Sequence, residues 1–317
     1  SISAGTLSKV GAGSLTLSGA NTFAGGGSLS AGQLNLANAQ ALGTGSWTFI
    51  SGFLDNTTGS ALTLSTGTQI LAGNLNFIGS NSLNMGSGSL YLSGAFGNTP
   101  TITVLSGTLI ESGTLTGGTS LTKTGNGVLV LNGSSSYIGG TTLNRGVLRL
   151  GTVTALGVGS VALAGGSLDL AAGSLFAYNT TVSSAGGGAS ILVSGTTGTL
   201  TLGTLGMGAT TLFVSGVGSL AFGGSTTLTG VSAGSSVFSI GSGATLSLGT
   251  LVNTGTSLIV TGAGSFAETG VMSGTGGLSF DSGFTGVATL SGSSTFTGTT
   301  TLASGTLRLN FTASGAP

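Results

Sequence analysis

Residues 121–150 read LTKTGNGVLVLNGSSSYIGGTTLNRGVLRL. In this stretch, short Leu-x-Leu triplets alternate with turns of Gly, Ser and Thr. An apolar residue at every second position indicates a β-strand with one face toward a core, and glycine favours the bends because it reaches positive φ without strain. The stretch contains three cations but no acid, no His and no Cys. The pattern therefore predicts a shape more strongly than a chemistry.

The composition of the whole chain favours a folded protein with very few charges. Of the 317 residues, 65 are glycine, two are proline and 39% are hydrophobic. So little proline excludes collagen and Pro-rich linkers, and the aliphatic content argues against disorder. Five basic and five acidic residues give a formal net charge of +0. This balance offers no electrostatic attraction to nucleic acid or an anionic membrane, and it weakens the repulsion that keeps proteins apart.

Internal repetition is the strongest feature of the sequence. Segment 9–46 aligns without a gap to segment 123–160 (123 − 9 = 114), and a third copy covers 289–310. Phe23 of the first copy is matched by Tyr137 of the second. With their flanks, the clear copies lie near 7–46, 121–160 and 278–310. Between them the same pattern of short apolar triplets and Gly-rich bends continues in looser form.

Strands this short are marginal alone, so they have to be stacked into a larger assembly. About three strands with their bends fit into roughly 20–25 residues, a length compatible with one turn of a solenoid. We therefore predict an all-β, parallel β-helix with roughly three short strands per turn and about 13–16 turns at a strand spacing of about 4.8 Å. The prediction treats residues 1–317 as a single continuous domain.

Two other all-β architectures fit less well. A β-propeller needs longer strands in blades of about 40–50 residues. A transmembrane β-barrel needs alternation over about 9–11 residues and aromatic girdles, whereas alternation here stops after three or four residues. LANAQAL at 36–42 is predicted to be a loop with an apolar plug, and SSAGGGAS at 183–190 is the one candidate flexible break.

The three copies resemble the autotransporter-associated β-strand repeat, also called the passenger-associated transport repeat. Residues 7–36 match its pattern with Phe23 in place of Tyr, and the third copy lacks the Lys-x-Gly-x-Gly run. The resemblance implies a secreted, right-handed β-helical passenger of a bacterial surface protein, adhesive or structural in role. The positions that match in the second copy are Leu121, Lys123, Gly125, Gly127, Leu129, Leu131, Gly133, Tyr137, Gly139, Gly140, Thr141, Leu143, Gly146, Leu148 and Leu150.

The two ends of the sequence lead to expectations about processing. The start, SISAGTLSKVGAG, lacks the basic and apolar regions of a signal peptide, so either none exists or it has been removed. The end, LRLNFTASGAP, lacks the membrane-spanning barrel in which a whole autotransporter terminates, so the resemblance implies a mature or trimmed passenger, or a relative that assembles by another route. No stretch reaches the roughly 18 apolar residues of a membrane helix, so this chain is not expected to enter a membrane.

The residue types needed for common chemistries are missing. Without His or Cys, catalytic triads, Cys-His pairs and the usual zinc sites cannot form. No Gly-Lys-Ser/Thr occurs, so a P-loop is excluded. Glu268 and Asp281 are the one carboxylate pair that could serve glycoside hydrolysis, and we expect them to be solvated surface acids. We predict no catalytic, cofactor-binding or metal-binding residue, no cofactor and no enzymatic activity.

The remaining notable side chains receive structural interpretations. Lys9 and Lys123 are expected to project into solvent beside a bend. Arg149 and Arg308 are the middle residues of Leu-Arg-Leu triplets, so they should point outward, as isolated cations or, together with Arg145, as contacts with another subunit. Phe23, Tyr137 and Phe296 are expected to be packing plugs at corners. Asn-x-Ser/Thr triplets, expected by chance in such a chain, begin at Asn56, Asn132, Asn179 and Asn310.

The leading functional hypothesis is a non-enzymatic, extracellular structural or adhesive β-solenoid. Its partner is expected to be the chain itself, in a homopolymer or by end-to-end stacking within a surface fibre, sheath or matrix. One alternative is a monomeric passenger adhesin that binds surface glycans or proteins. Another is a polysaccharide-active enzyme using Glu268 and Asp281. Ice binding through Thr299, Thr300 and Thr301 is disfavoured because no sustained Thr-x-Thr ladder is visible in the sequence.

Overall fold

The computed structural model describes residues 5–65, 67–97, 99–183, 187–195, 198–229, 234–255 and 257–310. In these ranges the regular structure is β-strand apart from one short 3-10 helix, Ala95–Gly97. Every strand pairing is parallel, and the chain forms an all-β parallel β-solenoid of about 14 turns, which confirms the predicted fold class. The chain divides into two compact units, Ser1–Ser160 and Val161–Pro317, which are described separately. A single continuous domain over 1–317 stays a prediction.

The first unit contains three parallel sheets. The strands of sheet A are β1 (Leu7–Lys9), β3 (Gly27–Leu29), β5 (Trp47–Phe49), β8 (Gln69–Leu71), β11 (Leu90–Leu92) and β14 (Leu115–Gly117). The strands of sheet B are β2 (Ser14–Leu17), β4 (Gln33–Leu36), β6 (Phe53–Asn56), β9 (Asn74–Phe77), β12 (Thr101–Val104), β15 (Leu121–Thr124) and β17 (Thr141–Leu143). The strands of sheet C are β7 (Leu62–Thr63), β10 (Leu83–Asn84), β13 (Thr108–Glu111), β16 (Val128–Leu131) and β18 (Val147–Leu150).

The second unit also contains three parallel sheets. The strands of sheet D are β19 (Val161–Leu163), β21 (Thr180–Val182), β24 (Leu205–Met207), β27 (Thr226–Leu228), β30 (Leu251–Asn253) and β33 (Met272–Gly274). The strands of sheet E are β20 (Ser167–Leu170), β22 (Ala189–Val193), β25 (Thr211–Gly216), β28 (Ser236–Ile240), β31 (Leu258–Gly262), β34 (Leu278–Phe284) and β36 (Thr300–Leu302). The strands of sheet F are β23 (Thr199–Leu202), β26 (Ser219–Phe222), β29 (Thr245–Leu248), β32 (Ser265–Glu268), β35 (Val287–Leu290) and β37 (Thr306–Leu309).

The number of strands per turn differs between the repeat copies and the segments between them. From β5 to β13 the chain visits sheets A, B and C in order, so these turns have the predicted three strands. In the first copy the chain alternates between sheets A and B, and in the second between sheets B and C. The copies therefore have two strands per turn, and a longer loop that contains the aromatic residue replaces the third strand.

The core of each unit is a narrow column of stacked apolar side chains. Parallel registry places like over like, so Leu15 pairs with Leu34 and Leu129 pairs with Leu148. The side chains of Leu34, Leu129 and Leu148 are fully buried. Burial of one leucine side chain contributes about 1.5–3 kcal/mol, so the column is the main source of stability.

Two segments singled out in the sequence have different outcomes. Residues 37–42 form no helix, and Ala41 and Leu42 are fully buried, which confirms a loop with an apolar plug. The candidate break at 183–190 includes residues 184–186, which lie outside the described residues. Its last two positions, Ala189 and Ser190, begin β22.

Candidate functional site

The lysine of the repeat is a buried structural residue. The Nζ of Lys123 donates to the carbonyl oxygens of Thr124, Gly125 and Arg145 at 2.8, 2.9 and 3.1 Å. Its side chain is completely buried, and burial lowers the pKa of its ammonium from 10.5 to about 8. All three donors of a lysine ammonium are used, so the side chain closes one corner and ties it to the next turn.

The same arrangement recurs in the first copy. The Nζ of Lys9 donates to the carbonyl oxygens of Val10, Gly11 and Ala31 at 3.0, 2.7 and 3.0 Å. Lys9 is only 7% exposed. The expectation that Lys9 and Lys123 project into solvent is therefore wrong. Their buried carbonyl partners compensate the cost of removing a charge from water.

The third copy fills the equivalent corner with an aromatic ring. A Cβ added to Gly32 would lie 2.4 Å from the Nζ of Lys9, whereas a Cβ added to the equivalent Gly305 would lie 2.5 Å from Cδ1 of Phe284. Phe284 is fully buried, with its ring 5.2 Å from that of Phe280. The aromatic pair Phe280 and Phe284 thus takes the place of the lysine ammonium, which explains why this copy has no lysine.

The aromatic residue of the repeat plugs the loop between strands. Tyr137 is fully buried, and its hydroxyl lies 2.5 Å from Oγ1 of Thr141. Phe23 is also fully buried, and its ring lies 6.4 Å from that of Trp47. The plug prediction is confirmed for these two residues, whereas Phe296 is only partly buried.

Two glutamates occupy inward positions that leucine fills in neighbouring turns. Glu111 pairs in register with Leu131, and Glu268 pairs with Leu290. They are 2% and 0% exposed, so the expectation that Glu268 is a solvated surface acid is wrong. Oε1 of Glu111 accepts the backbone N–H of Gly113 at 3.0 Å, and Oε2 of Glu268 accepts that of Gly292 at 3.4 Å.

The environment of these glutamates favours the protonated form. Burial raises the pKa of Glu111 to about 8, and burial also raises the pKa of Glu268. Oε2 of Glu111 and Oε1 of Glu268 are buried without a hydrogen-bond partner in the described residues. A charged carboxylate there would pay a large desolvation cost, so for Glu111, whose pKa lies at about 8, protonation is the cheaper state at neutral pH.

Glu268 and Asp281 do not form the carboxylate pair of a glycosidase. Glu268 faces the core from sheet F, whereas Asp281 lies on sheet E, is partly exposed and accepts the N–H of Gly283 at 3.0 Å. Glycoside hydrolysis requires two carboxyl groups that flank one sugar bond in a common cleft. Because Glu268 points inward from sheet F and Asp281 points outward from sheet E, their carboxyl groups do not share a cleft.

The other charged and polar candidates are structural or lie apart. Arg145, Arg149 and Arg308 are exposed, as predicted for the last two from their outward positions. Asn56, one of the Asn-x-Ser/Thr residues, is fully buried and donates to the carbonyl oxygens of Ser60 and Ser82, both at 2.7 Å.

Neither a metal site nor a membrane helix is found in the described part of the chain. Within those residues no group of three or more Asp, Glu, His or Cys side chains could hold a metal ion. Likewise, no described helix has the length and apolar character needed to cross a bilayer.

The outward face of sheet F is a regular wall of small, half-buried side chains. On sheet F the outward residues Thr199, Ser219 and Thr245 pair in register, and Ser265 continues the row. A neighbouring row runs through Ala221, Ser247, Ala267 and Thr289 to the exposed Arg308. Such rows present hydroxyl and methyl groups at the strand spacing of about 4.8 Å.

Two shallow grooves are cut into the outer walls. One, of about 270 Å³, borders β1, β3 and β5, and includes Ser28 and Thr48. The other, of about 320 Å³, borders β31, β34 and β36, and includes Ser279 and Thr301. Sequence reasoning missed both, although each coincides with a repeat copy. The signal that could have found them is the run of Ser and Thr at outward positions before the glycine corner.

The comparisons with known proteins agree with this architecture. Residues 7–36, 121–150 and 285–309 match the Passenger-associated-transport-repeat, which confirms the resemblance found in the sequence. These segments cover less than half of the chain. No solved structure matches.

One similar curated protein is the Adhesin BmaC autotransporter of Brucella suis biovar 1 (strain 1330). It is 38% identical to this chain over 125 residues, which is 37% of this chain and 4% of that protein. This chain therefore spans a small part of that relative's length. The chain contains three passenger-associated transport repeats and, over about a third of its length, is similar to an autotransporter adhesin.

Proposed function

We propose that this chain is a non-enzymatic, adhesive β-solenoid displayed outside a bacterial cell as part of a passenger. The observation that carries the proposal is the outer wall, where rows of Ser, Thr and Ala stand in register and charged side chains are few. A regular wall of this kind can lie along an extended partner, because its hydroxyl groups repeat at the strand spacing. The named function of the similar autotransporter supports adhesion.

The direct test is adhesion by the chain itself. The purified chain, coupled to beads, should attach them to surfaces bearing host or bacterial glycans and proteins. Beads coupled to an uncharged protein of the same mass provide the control. Equal attachment of both kinds of bead to every surface would contradict an adhesive role.

Self-association is proposed as a second property of the same wall. The formal net charge of +0 removes the long-range repulsion that keeps most proteins apart. We propose a homopolymer, by lateral or end-to-end contact, that builds a fibre or matrix. Electron microscopy of the concentrated chain should show filaments or sheets, and dispersed single rods at every concentration would contradict this.

The absence of enzymatic activity is also part of the proposal. It is supported by the inward position of Glu268 and the separate, outward position of Asp281. If the chain degraded a polysaccharide with this pair, Glu268→Gln and Asp281→Asn would abolish turnover. We expect no turnover in the unaltered chain, measured as release of reducing ends from a polysaccharide panel.

A further inference from the structure

The two grooves lie at equivalent places in the first and third repeat copies. In register, Ser8 of β1 pairs with Ser28 of β3, and Ser279 of β34 pairs with Thr301 of β36. In the first groove, Ser8 precedes Gly25 in the chain and Ser28 follows it. In the second groove, Ser279 precedes Gly298 and Thr301 follows it in the same way. The groove therefore recurs in two of the three repeat copies.

Glycine sets the depth of each groove. A Cβ added to Gly25 would lie 2.4 Å from the carbonyl oxygen of Gly5, and a Cβ added to Gly298 would lie 2.2 Å from that of Gly276. Both distances are shorter than any ordinary contact, so the chain can approach the preceding turn this closely only at glycine. The groove floor is a consequence of that approach.

The walls of both grooves carry free hydroxyl groups and no charge. In the second groove the hydroxyls of Ser257, Thr275, Ser279, Thr299 and Thr301 make no side-chain hydrogen bond within the described residues. In the first, the same is true of Thr6, Ser46 and Thr48, whereas Ser8 and Ser28 lie 3.1 Å apart and bond to each other. Each hydroxyl can both donate and accept a hydrogen bond.

The direction of the groove restricts what can occupy it. Each groove crosses three successive turns, so equivalent hydroxyls recur at about 4.8 Å along it. One sugar unit of an extended polysaccharide has about the same length along the chain. A groove that binds a protein would be expected to contain aromatic, Arg or large apolar side chains, because these contribute most of the binding energy at protein interfaces. The grooves contain none of these except the largely inward Leu7 and Leu278.

We propose that the groove beside Gly25, and its equivalent beside Gly298, binds a neutral, extended polysaccharide laid along the row of turns, with about one sugar per turn. This inference rests on the proposed adhesive function and names its ligand class. Each groove offers only neutral hydrogen bonds, each contributing about 1 kcal/mol net, so one site binds weakly. A long chain that contacts several copies gains by effective concentration.

The test uses groove-filling variants of the whole chain. Ser28→Trp and Thr301→Trp together place an indole in each groove, and the control pair Thr16→Trp and Thr181→Trp places it on exposed outward positions outside the grooves and outside the wall of sheet F. Neutral β-linked glucan and mannan oligosaccharides of one to six sugars are titrated, with oligogalacturonate as the charged comparison. We expect affinity to rise steeply up to three sugars, and the groove pair to lose at least tenfold while the control pair does not.

Several results would overturn the inference. They are a lack of binding by every neutral oligosaccharide, equal binding of oligogalacturonate, or equal affinity of the groove and control pairs. Melting curves check the fold, and if the Trp pair is unfolded, Ser28→Lys with Thr301→Lys replaces it with the same expected loss. If beads that carry the groove variants attach to surfaces as well as beads that carry the unaltered chain, this inference alone fails. If beads that carry the unaltered chain attach to no surface, the proposed function itself fails.

Discussion

At the scale of single residues, Lys123 shows how a charge can be a core element. Its ammonium donates to the carbonyl oxygens of Thr124, Gly125 and Arg145. Lys123→Met keeps the volume of the stem but removes this donor from all three acceptors. We expect it to lower the free energy of unfolding by about 2–4 kcal/mol, measured by urea denaturation.

Arg308→Met provides the control for that change. Arg308 is exposed on the outer face of β37. A surface substitution there should change the free energy of unfolding by no more than about 0.5 kcal/mol. Equal effects of the two Met variants would mean that the buried hydrogen bonds of Lys123 do not stabilise the corner.

Glu111 makes stability depend on pH with a definite sign. Its pKa is raised by burial from 4.5 to about 8, so between these values the folded chain keeps a proton that the unfolded chain has lost. The free energy of unfolding therefore falls as pH rises from about 4.5 to about 8. Glu268, whose pKa is also raised, acts in the same direction.

Lys123 reverses the trend at higher pH. Its pKa is lowered from 10.5 to about 8, so above pH 8 the unfolded chain binds the extra proton and stability rises again. Urea denaturation from pH 4 to 10 should show a minimum near pH 8. Glu111→Leu should flatten the fall and raise stability at pH 8. A profile of Glu111→Leu parallel to that of the unaltered chain would contradict the assignment.

The alternation of the sequence predicted these inward side chains better than their chemical type did. Lys123 follows Leu121 by two positions, Glu111 follows Leu109 and Glu268 follows Phe266, so period 2 places all three inside. Their charge suggested the surface instead. Burial of Lys123 is tolerable because three backbone carbonyl oxygens accept from its ammonium, and burial of Glu111 is tolerable because its carboxyl is protonated. Both conditions depend on neighbouring turns, which the local sequence does not show.

At the scale of elements, the corner loop is stabilised by a matched pair of residues. Tyr137 and Thr141 share a buried hydrogen bond of 2.5 Å. In the first copy Phe23 and Gly27 occupy these positions, and a Cβ on Gly27 would lie 2.7 Å from the ring of Trp47. In these two copies, therefore, the two hydroxyls occur together in the second copy, and both are absent from the first, where an indole fills the space.

A double-mutant cycle tests this pairing. Tyr137→Phe and Thr141→Val should each lower the free energy of unfolding by about 1 kcal/mol, because each leaves the other hydroxyl buried without this partner. The double variant should cost less than the sum of the two, with a coupling of about 1 kcal/mol, measured by urea denaturation. Strict additivity would show that the two hydroxyls do not interact.

The sequence predicted the elements well and their arrangement less completely. Short alternating triplets and glycine corners located the strands, because both signals are local. The change from three strands per turn to two in the repeat copies was not predicted. It depends on whether the loop around Phe23 or Tyr137 packs as a plug in place of a strand, which is decided by contacts with the adjacent turns.

At the scale of the whole molecule, a second copy of the chain would contact a surface that carries few charges. The row Ala221, Ser247 and Ala267 on sheet F presents small, uncharged side chains in register on three successive strands. Two such walls can approach to the spacing of stacked sheets, about 10 Å, without burying an unpaired charge. The absence of charge thus permits lateral contact, whereas the buried hydroxyl, ammonium and carboxyl groups affect only the interior.

Placing charge on this wall tests whether it mediates self-association. Ala221→Lys and Ala267→Lys add two cations separated by one strand, and Ala221→Gln with Ala267→Gln adds similar bulk without charge. In sedimentation velocity at low salt, the unaltered chain and the Gln pair should form large species that the Lys pair does not. Because the Debye length shrinks to about 3 Å at 1 M salt, high salt should restore association of the Lys pair. If the Gln and Lys pairs dissociate equally, bulk and not repulsion disrupts the contact, and if the Lys pair associates as the unaltered chain does, the contact lies on another face.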